Sequence, residues 1–141
     1  MKKLFVLLLN FLIFSSSAIA QRTDIYDASG RLTGYYEKDS SGNVIEYDSN
    51  GYKVFSYQKD ASGRTVKYDK NGYIVGSFEV NSNNTTEYDA DGYRKNIYIK
   101  DPSGNTVQYN NSGSIVNTYK PENYGFGKYD KNGYLINTYS K

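Results

Sequence analysis

The chain contains no cysteine, no histidine and no tryptophan, and only two prolines and one methionine in 141 residues. Without cysteine there is neither a disulfide nor a lipid-attachment thiol, so the fold must rest on packing alone. Histidine and cysteine together supply the commonest general base, the commonest thiol nucleophile and the usual zinc ligands. Their joint absence argues against a catalytic triad and an ordinary metallohydrolase, and no metal site and no cofactor are expected.

Long apolar runs are equally scarce. The one such stretch, Leu4 to Phe14 broken by Asn10, follows Lys2 and Lys3 and precedes Ser15 to Ala20 with its ending Ala18-Ile19-Ala20. A basic start, a short apolar centre and a small-x-small ending make residues 1–20 a secretory signal peptide, with cleavage expected before Gln21. The run falls short of the roughly 20 residues that a spanning helix needs. Residues 21–141 are therefore expected to be secreted (extracellular, periplasmic or cell-surface), as one domain without a membrane span.

Charge of one sign is also missing. Lys2 and Lys3 account for the whole formal charge of +2, which leaves fifteen basic and fifteen acidic residues from Gln21 onward. Such a balance lacks the one-sided basic footprint of a nucleic-acid binder. It also weakens the self-repulsion that keeps proteins apart, so self-association stays open.

What the chain does have is an internal repeat. A tyrosine opens each copy at Tyr26, Tyr47, Tyr68, Tyr88, Tyr109 and Tyr129, in steps of 21, 21, 20, 21 and 20 residues. A fixed step of this size marks stacked supersecondary units. Within each unit Asp-x-x-Gly appears twice, as at Asp48 to Gly51 and Asp60 to Gly63, and with degenerate forms at 81–84, 110–113 and 122–125 there are eleven half-repeats. Asp at the first position of a type I turn can bond the amides beyond it, and Gly at the fourth tolerates positive φ. This is the chemistry of a hairpin loop closed by a glycine bulge. The segments between reversals have the usual length of strands. The expectation is an all-β antiparallel meander of about eleven short strands in β-hairpin repeats, forming a curled open sheet, a β-solenoid or a barrel-like closure, since natural twist forbids a flat one.

Tyrosine is the main core material: beyond Gln21 there are seventeen Tyr and three Phe against sixteen Val, Ile and Leu. Two ladders are unbroken, the unit-opening tyrosines and the set Tyr36, Tyr57, Phe78, Tyr98, Tyr119 and Tyr139. A third, Tyr52, Tyr73, Tyr93 and Tyr134, follows the turn glycine and is replaced by Arg31 and Ser114 in two copies. Strand alternation puts Ile45 with Tyr47, Val66 with Tyr68 and Val107 with Tyr109 on shared faces, and these pairs are expected to form the buried face. Val54 is out of phase with Tyr57, so either a bulge intervenes or the tyrosine sets face opposite ways.

The run Tyr26-Asp27-Ala28-Ser29-Gly30-Arg31-Leu32-Thr33, echoed by Asp60-Ala61-Ser62-Gly63-Arg64, resembles the signature of the YD-repeat, or Rhs-type, family. The resemblance covers Tyr26 to Lys141 and implies hairpins laid side by side in a curling sheet, of the kind found in bacterial toxin shells and extracellular adhesion proteins. Most units here carry Tyr rather than Arg after the glycine, and five to six units are too few to enclose a toxin.

For function, ten of the fifteen acids sit in the Asp-x-x-Gly turns or their variants, which turn geometry explains. Asp24, Glu37, Glu46, Glu79 and Glu87 remain, none singled out by its surroundings, so the chain is read as non-enzymatic. The turn acids do not follow the spacing of a glycine-rich calcium repeat. The expected role is a binding module for carbohydrate or an extracellular protein, or a scaffold. Its candidate ligand-binding residues are Tyr52, Tyr73, Tyr93 and Tyr134, with Tyr124 and Phe126 as a second candidate pair around Gly125. Alternatives are a self-assembling, curli-like subunit and, ranked last, a carboxylate-based glycosidase.

Overall fold

The computed structural model describes residues 22–141; the expected signal peptide lies outside the described residues. Twelve strands follow one another: β1 (Arg22–Asp27), β2 (Leu32–Lys38), β3 (Val44–Asp48), β4 (Lys53–Lys59), β5 (Thr65–Asp69), β6 (Ile74–Val80), β7 (Asn84–Asp89), β8 (Arg94–Lys100), β9 (Thr106–Asn110), β10 (Ile115–Glu122), β11 (Gly125–Asp130) and β12 (Leu135–Ser140). Each pairs antiparallel with its neighbours in sequence, and β1 pairs with β12, so the sheet closes into a barrel. Closure is specific in register, with Ile25 opposite Tyr139 and Asp27 opposite Asn137. The eleven reversals of the sequence bound twelve strands, because β1 has no reversal before it.

Each repeat is one hairpin, and six hairpins complete the ring. At one end of the barrel, here the Tyr-Asp end, the six turns that begin at Asp27, Asp48, Asp69, Asp89, Asn110 and Asp130 join odd to even strands. The other five turns and both ends of the described chain lie at the far end. In the first turn the Gly30 amide donates to the Asp27 carbonyl and the Asp27 amide to the Arg31 carbonyl, both at 2.9 Å. Gly30 has φ +82°, which an L side chain rarely adopts. The Asp27 carboxylate accepts the amides of Ser29 and Arg31 at 2.9 and 3.0 Å, and Asn110 does the same for Ser112 and Ser114.

The hairpins at the Tyr-Asp end carry a second irregularity that the far-end hairpins lack. In all six the register shifts just before or at the unit-opening tyrosine, as between Glu46 and Tyr47, where Val54 is left without an opposite residue. Bulges bend a strand and increase its twist. Six of them, one per repeat, curl the sheet until its edges meet.

The core follows from width. Barrel diameter grows with strand number, and twelve strands leave more space than Val or Leu can fill. Tyr36, Tyr57, Phe78, Tyr98, Tyr119 and Tyr139, from the even strands, are buried together with Phe126, Ile25 and Val44. Ring centroids stand 6.4 Å apart for Tyr36 and Tyr57, 6.5 Å for Tyr57 and Phe78, and 4.4 Å for the stacked pair Phe126 and Tyr139. Toward the far end a layer of Thr23, Val44, Thr65, Thr85, Thr106 and Phe126 is sealed from solvent. The hydroxyls of Thr23, Thr85 and Thr106 have no hydrogen-bond partner among the described residues.

The expected buried face is corrected by this arrangement. Tyr47 and Ile45 alternate with Glu46, whose carboxylate meets the core ring Tyr57, so Tyr47 and its equivalents lie on the outside of the barrel. There they are half-buried by their neighbours rather than by the core: Tyr47 stacks on Tyr35 at 5.0 Å, and the Arg22 guanidinium covers Tyr35 at 3.8 Å. Val66 and Val107 are buried on the same outer face. Between Tyr52 and Tyr57 a bulge intervenes, at Val54; separately, the two unbroken tyrosine ladders face opposite sides of the sheet.

Candidate functional site

Two features at the Tyr-Asp end carry chemistry: a polar layer inside the barrel mouth and a rim of exposed rings around it. The layer is built by the residue immediately before each unit-opening tyrosine, namely Ile25, Glu46, Lys67, Glu87, Gln108 and Lys128. Being next to an outward tyrosine on a strand, each faces inward. The even strands contribute Gly34, Phe55, Gly76, Asn96, Asn117 and Asn137 directly opposite them. At Gly34 and Gly76 a Cβ would approach the Tyr47 and Tyr88 carbonyls to 2.5 and 2.7 Å, so close strand approach leaves those places without side chains.

Three of the ladder hydroxyls find their partners in this layer. Tyr57 donates to Glu46 at 2.8 Å, Tyr98 to Glu87 at 2.8 Å, and Tyr119 to Gln108 at 3.2 Å. Glu46 also lies near enough to Tyr36 to act on its hydroxyl electrostatically. Glu87 further accepts the Asn96 amide at 2.7 Å and faces the Lys95 ammonium at 3.8 Å. Phe78 breaks the tyrosine pattern on the strand that follows Lys67, a residue with no acceptor to offer; the Lys67 ammonium lies over the Phe55 ring at 3.8 Å instead.

Burial raises the pKa of Tyr36 and Tyr57 well above the usual phenol range, with nearby Glu46 adding to it, and raises those of Tyr98 and Tyr119. Tyr139 is pushed up to about 12, again chiefly by burial. Burial lowers the pKa of Lys67, an effect opposed by Glu46 and Glu87, and lowers that of Lys128 with no carboxylate opposing it.

Around this mouth stand Tyr52, Tyr73, Tyr93 and Tyr134, each 71 to 73% exposed. Each ring is set by its turn: the Tyr52 amide is held by the Asp48 carboxylate at 2.9 Å, and the same bond recurs at Tyr73, Tyr93 and Tyr134. Between neighbouring turns runs an open recess. One copy has Tyr52 and Val54 on one wall with Asp69, Lys70 and Asn71 on the other. Its counterpart two hairpins on lies between Arg94 and Asn111, whose side chains meet at 3.0 Å.

The second candidate pair does not form a surface. Tyr124 is 80% exposed at the far end, away from the other four rings, whereas Phe126 is 2% exposed and stacks on Tyr139 in the core. A ligand at the surface cannot reach Phe126, whose side chain is needed inside to complete the aromatic layer. Glu46, Lys67, Glu87, Gln108 and Lys128 were not picked out by residue type. Their signal is positional, five long polar side chains at one fixed place in six repeats, read together with the inward parity of that place.

Among the described residues no group of three or more His, Cys, Asp or Glu is placed to hold a metal ion. The fold and this end of it define a class, a closed twelve-stranded barrel of six hairpin repeats with a polar mouth and an aromatic rim. Comparison with protein-family models, with curated proteins and with solved structures finds no match for the chain.

Proposed function

We propose that the chain is an exported, non-enzymatic binding module of the YD-repeat kind, and that it takes carbohydrate at its Tyr-Asp end. The observation that carries this reading is the set of four equivalent rings, Tyr52, Tyr73, Tyr93 and Tyr134, standing open to solvent around a mouth of amides and charges. A sugar presents an apolar face of C–H groups and a rim of hydroxyls, and a tyrosine ring beside paired donors and acceptors meets both. Repetition adds a second advantage, because several weak equivalent subsites on one rim engage a polymer far more tightly than one does.

Two features set the other readings lower. Edge-to-edge stacking of the curli kind has no free strand to start from in a ring where every strand is paired on both sides. Glu46 and Glu87, the carboxylates of the mouth, are each occupied by tyrosine hydroxyls, which leaves a glycosidase without a free acid–base pair. The test is a glycan array probed with the chain from Gln21 onward and with a variant carrying Tyr→Ala at 52, 73, 93 and 134. Binding by the first and loss of signal in the second is expected. Equal signal from both would remove the rim from the site, and silence from both across neutral and acidic glycans would end the carbohydrate reading.

A further inference from the structure

We propose that the Lys128 corner of the barrel mouth is an anion subsite that receives the carboxylate of an acidic sugar. The inference rests on the carbohydrate reading above and narrows it to uronic-acid-type ligands. Charge bookkeeping within the mouth isolates this corner. Glu46 is met by Tyr57, Glu87 by Tyr98, Asn96 and Lys95, and Lys67 by the Phe55 ring. The Lys128 ammonium alone makes no hydrogen bond, ion pair or ring contact among the described residues.

Its register neighbours are uncharged, and the nearest acids along the same face, Asp130 and Asp27, hold the amides of their own turns. Lys128 lies between Tyr119 on β10 and Asn137 on β12 in register, and the nearest odd strands offer Gln108 and Ile25 at its level. The Gln108 carbonyl already accepts from Tyr119 at 3.2 Å and from Asn117 at 2.9 Å. That fixes the orientation of its amide and leaves the NH₂ end to donate elsewhere. Asn137 uses its own NH₂ on the Tyr26 carbonyl at 3.2 Å, so its side-chain oxygen remains to accept from a hydroxyl. An ammonium partly withdrawn from water, with no ion-pair partner, opposite a free acceptor on Asn137 and in the same layer as the Gln108 amide, matches a carboxylate carried next to hydroxyl groups. Such a pair is stronger here than at an open surface, because the medium is less polarisable than water. A carboxylate on a polymer threaded along the rim reaches this corner from the turn Asp130–Gly133, two residues beyond Lys128, and Tyr134 follows that turn.

The test titrates the chain from Gln21 onward with oligogalacturonate, with the matching neutral galacto-oligosaccharide, with galacturonate and with acetate. Calorimetry gives the affinities, and NMR follows the Lys128 side-chain resonances. Wild type is expected to prefer oligogalacturonate by about tenfold or more, and galacturonate is expected to shift the Lys128 signals. Lys128→Met should lose that preference, its affinity for oligogalacturonate falling to that for the neutral oligosaccharide, and Lys128→Arg should restore part of it, while circular dichroism of both variants separates loss of charge from loss of fold. Equal affinity for the two oligosaccharides, or an unchanged preference in Lys128→Met, overturns the inference and leaves the carbohydrate reading standing. Acetate shifting Lys128 as strongly as galacturonate, with neither oligosaccharide bound, overturns the sugar class and the carbohydrate reading together.

Discussion

The Tyr57 hydroxyl donates to the Glu46 carboxylate at 2.8 Å, across the β3–β4 pair and inside the barrel. The same relation recurs between Tyr98 and Glu87 and, with a neutral acceptor, between Tyr119 and Gln108. One geometric unit thus solves the buried-hydroxyl problem three times. Tyr57→Phe removes a donor from a carboxylate that stays inside and should cost about 1–3 kcal/mol. Glu46→Gln, which installs the acceptor that Gln108 already provides, should cost about 1 kcal/mol or less. Urea unfolding of both single variants and the double variant measures the coupling, expected at about 1 kcal/mol or more; additive costs would mean that the bond contributes nothing of its own.

The sealed threonine layer predicts the opposite sign. Thr85 is fully buried and its hydroxyl has no partner, while Val44 occupies the equivalent place in its own repeat. Thr85→Val removes an unpaired polar group without changing the shape, and should leave stability unchanged or raise it by about 1 kcal/mol. A lower unfolding midpoint would show that the hydroxyl is satisfied in solution.

Alkaline stability follows from the five core tyrosines. Their folded pKa values lie above the ordinary value of 10.0, so their contribution is complete below pH 10 and is lost as pH rises through the folded values. Tyr139 alone, pushed up to about 12, accounts for roughly 2–3 kcal/mol across that window. Lys67 and Lys128 act the other way at lower pH, since their lowered pKa values make stability rise as pH climbs toward the free-lysine value of 10.5. Stability should therefore crest near pH 10 and fall steeply above it. Tyrosinate absorbance and circular dichroism recorded together check this: the buried rings should ionise only as the sheet signal collapses, and ionisation ahead of unfolding would contradict the packing described.

Rim and core should separate cleanly. Tyr52→Ala or Tyr73→Ala removes a side chain with little buried area and should move stability by no more than about 0.5 kcal/mol. Phe126→Ala should cost about 3–5 kcal/mol by opening the aromatic layer. Tyr124→Ala, at the far end, should change neither stability nor glycan binding. Thermal melts beside binding assays decide it, and a rim variant that unfolds would place those rings in the fold rather than in the site.

Much of this fold is legible in the chain because its strongest signals are local. Asp27 and Gly30 announce a reversal through backbone chemistry that involves no distant residue, and the repeat step multiplies that information. Closure is harder to read, since pairing of Ile25 with Tyr139 depends on curvature summed over six bulges, each set by register and not by residue type. The inward face is hard to read from sequence for a related reason. Val66 and Tyr68 look like core and Lys67 like surface, but a wide barrel fills its interior with the other tyrosine ladder, whose hydroxyls require Glu46, Glu87 and Gln108 as neighbours. Phe126 shows the same limit. Beside Tyr124 and Gly125 it reads as part of an irregular surface segment, and only the pairing of β11 with β10 and β12 turns it inward.

The seam between β1 and β12 is bonded like any other neighbour pair in the ring. A ring has no privileged first strand. Both ends of the described chain meet at the far end, where the turns at Asp39–Gly42, Asp60–Gly63 and Asp101–Gly104 also lie. Joining Arg22 to Lys141 through a short linker and opening the chain at one of those turns would yield a circular permutant with the same neighbours and the same mouth. Folding order could then be varied hairpin by hairpin while the site is held constant.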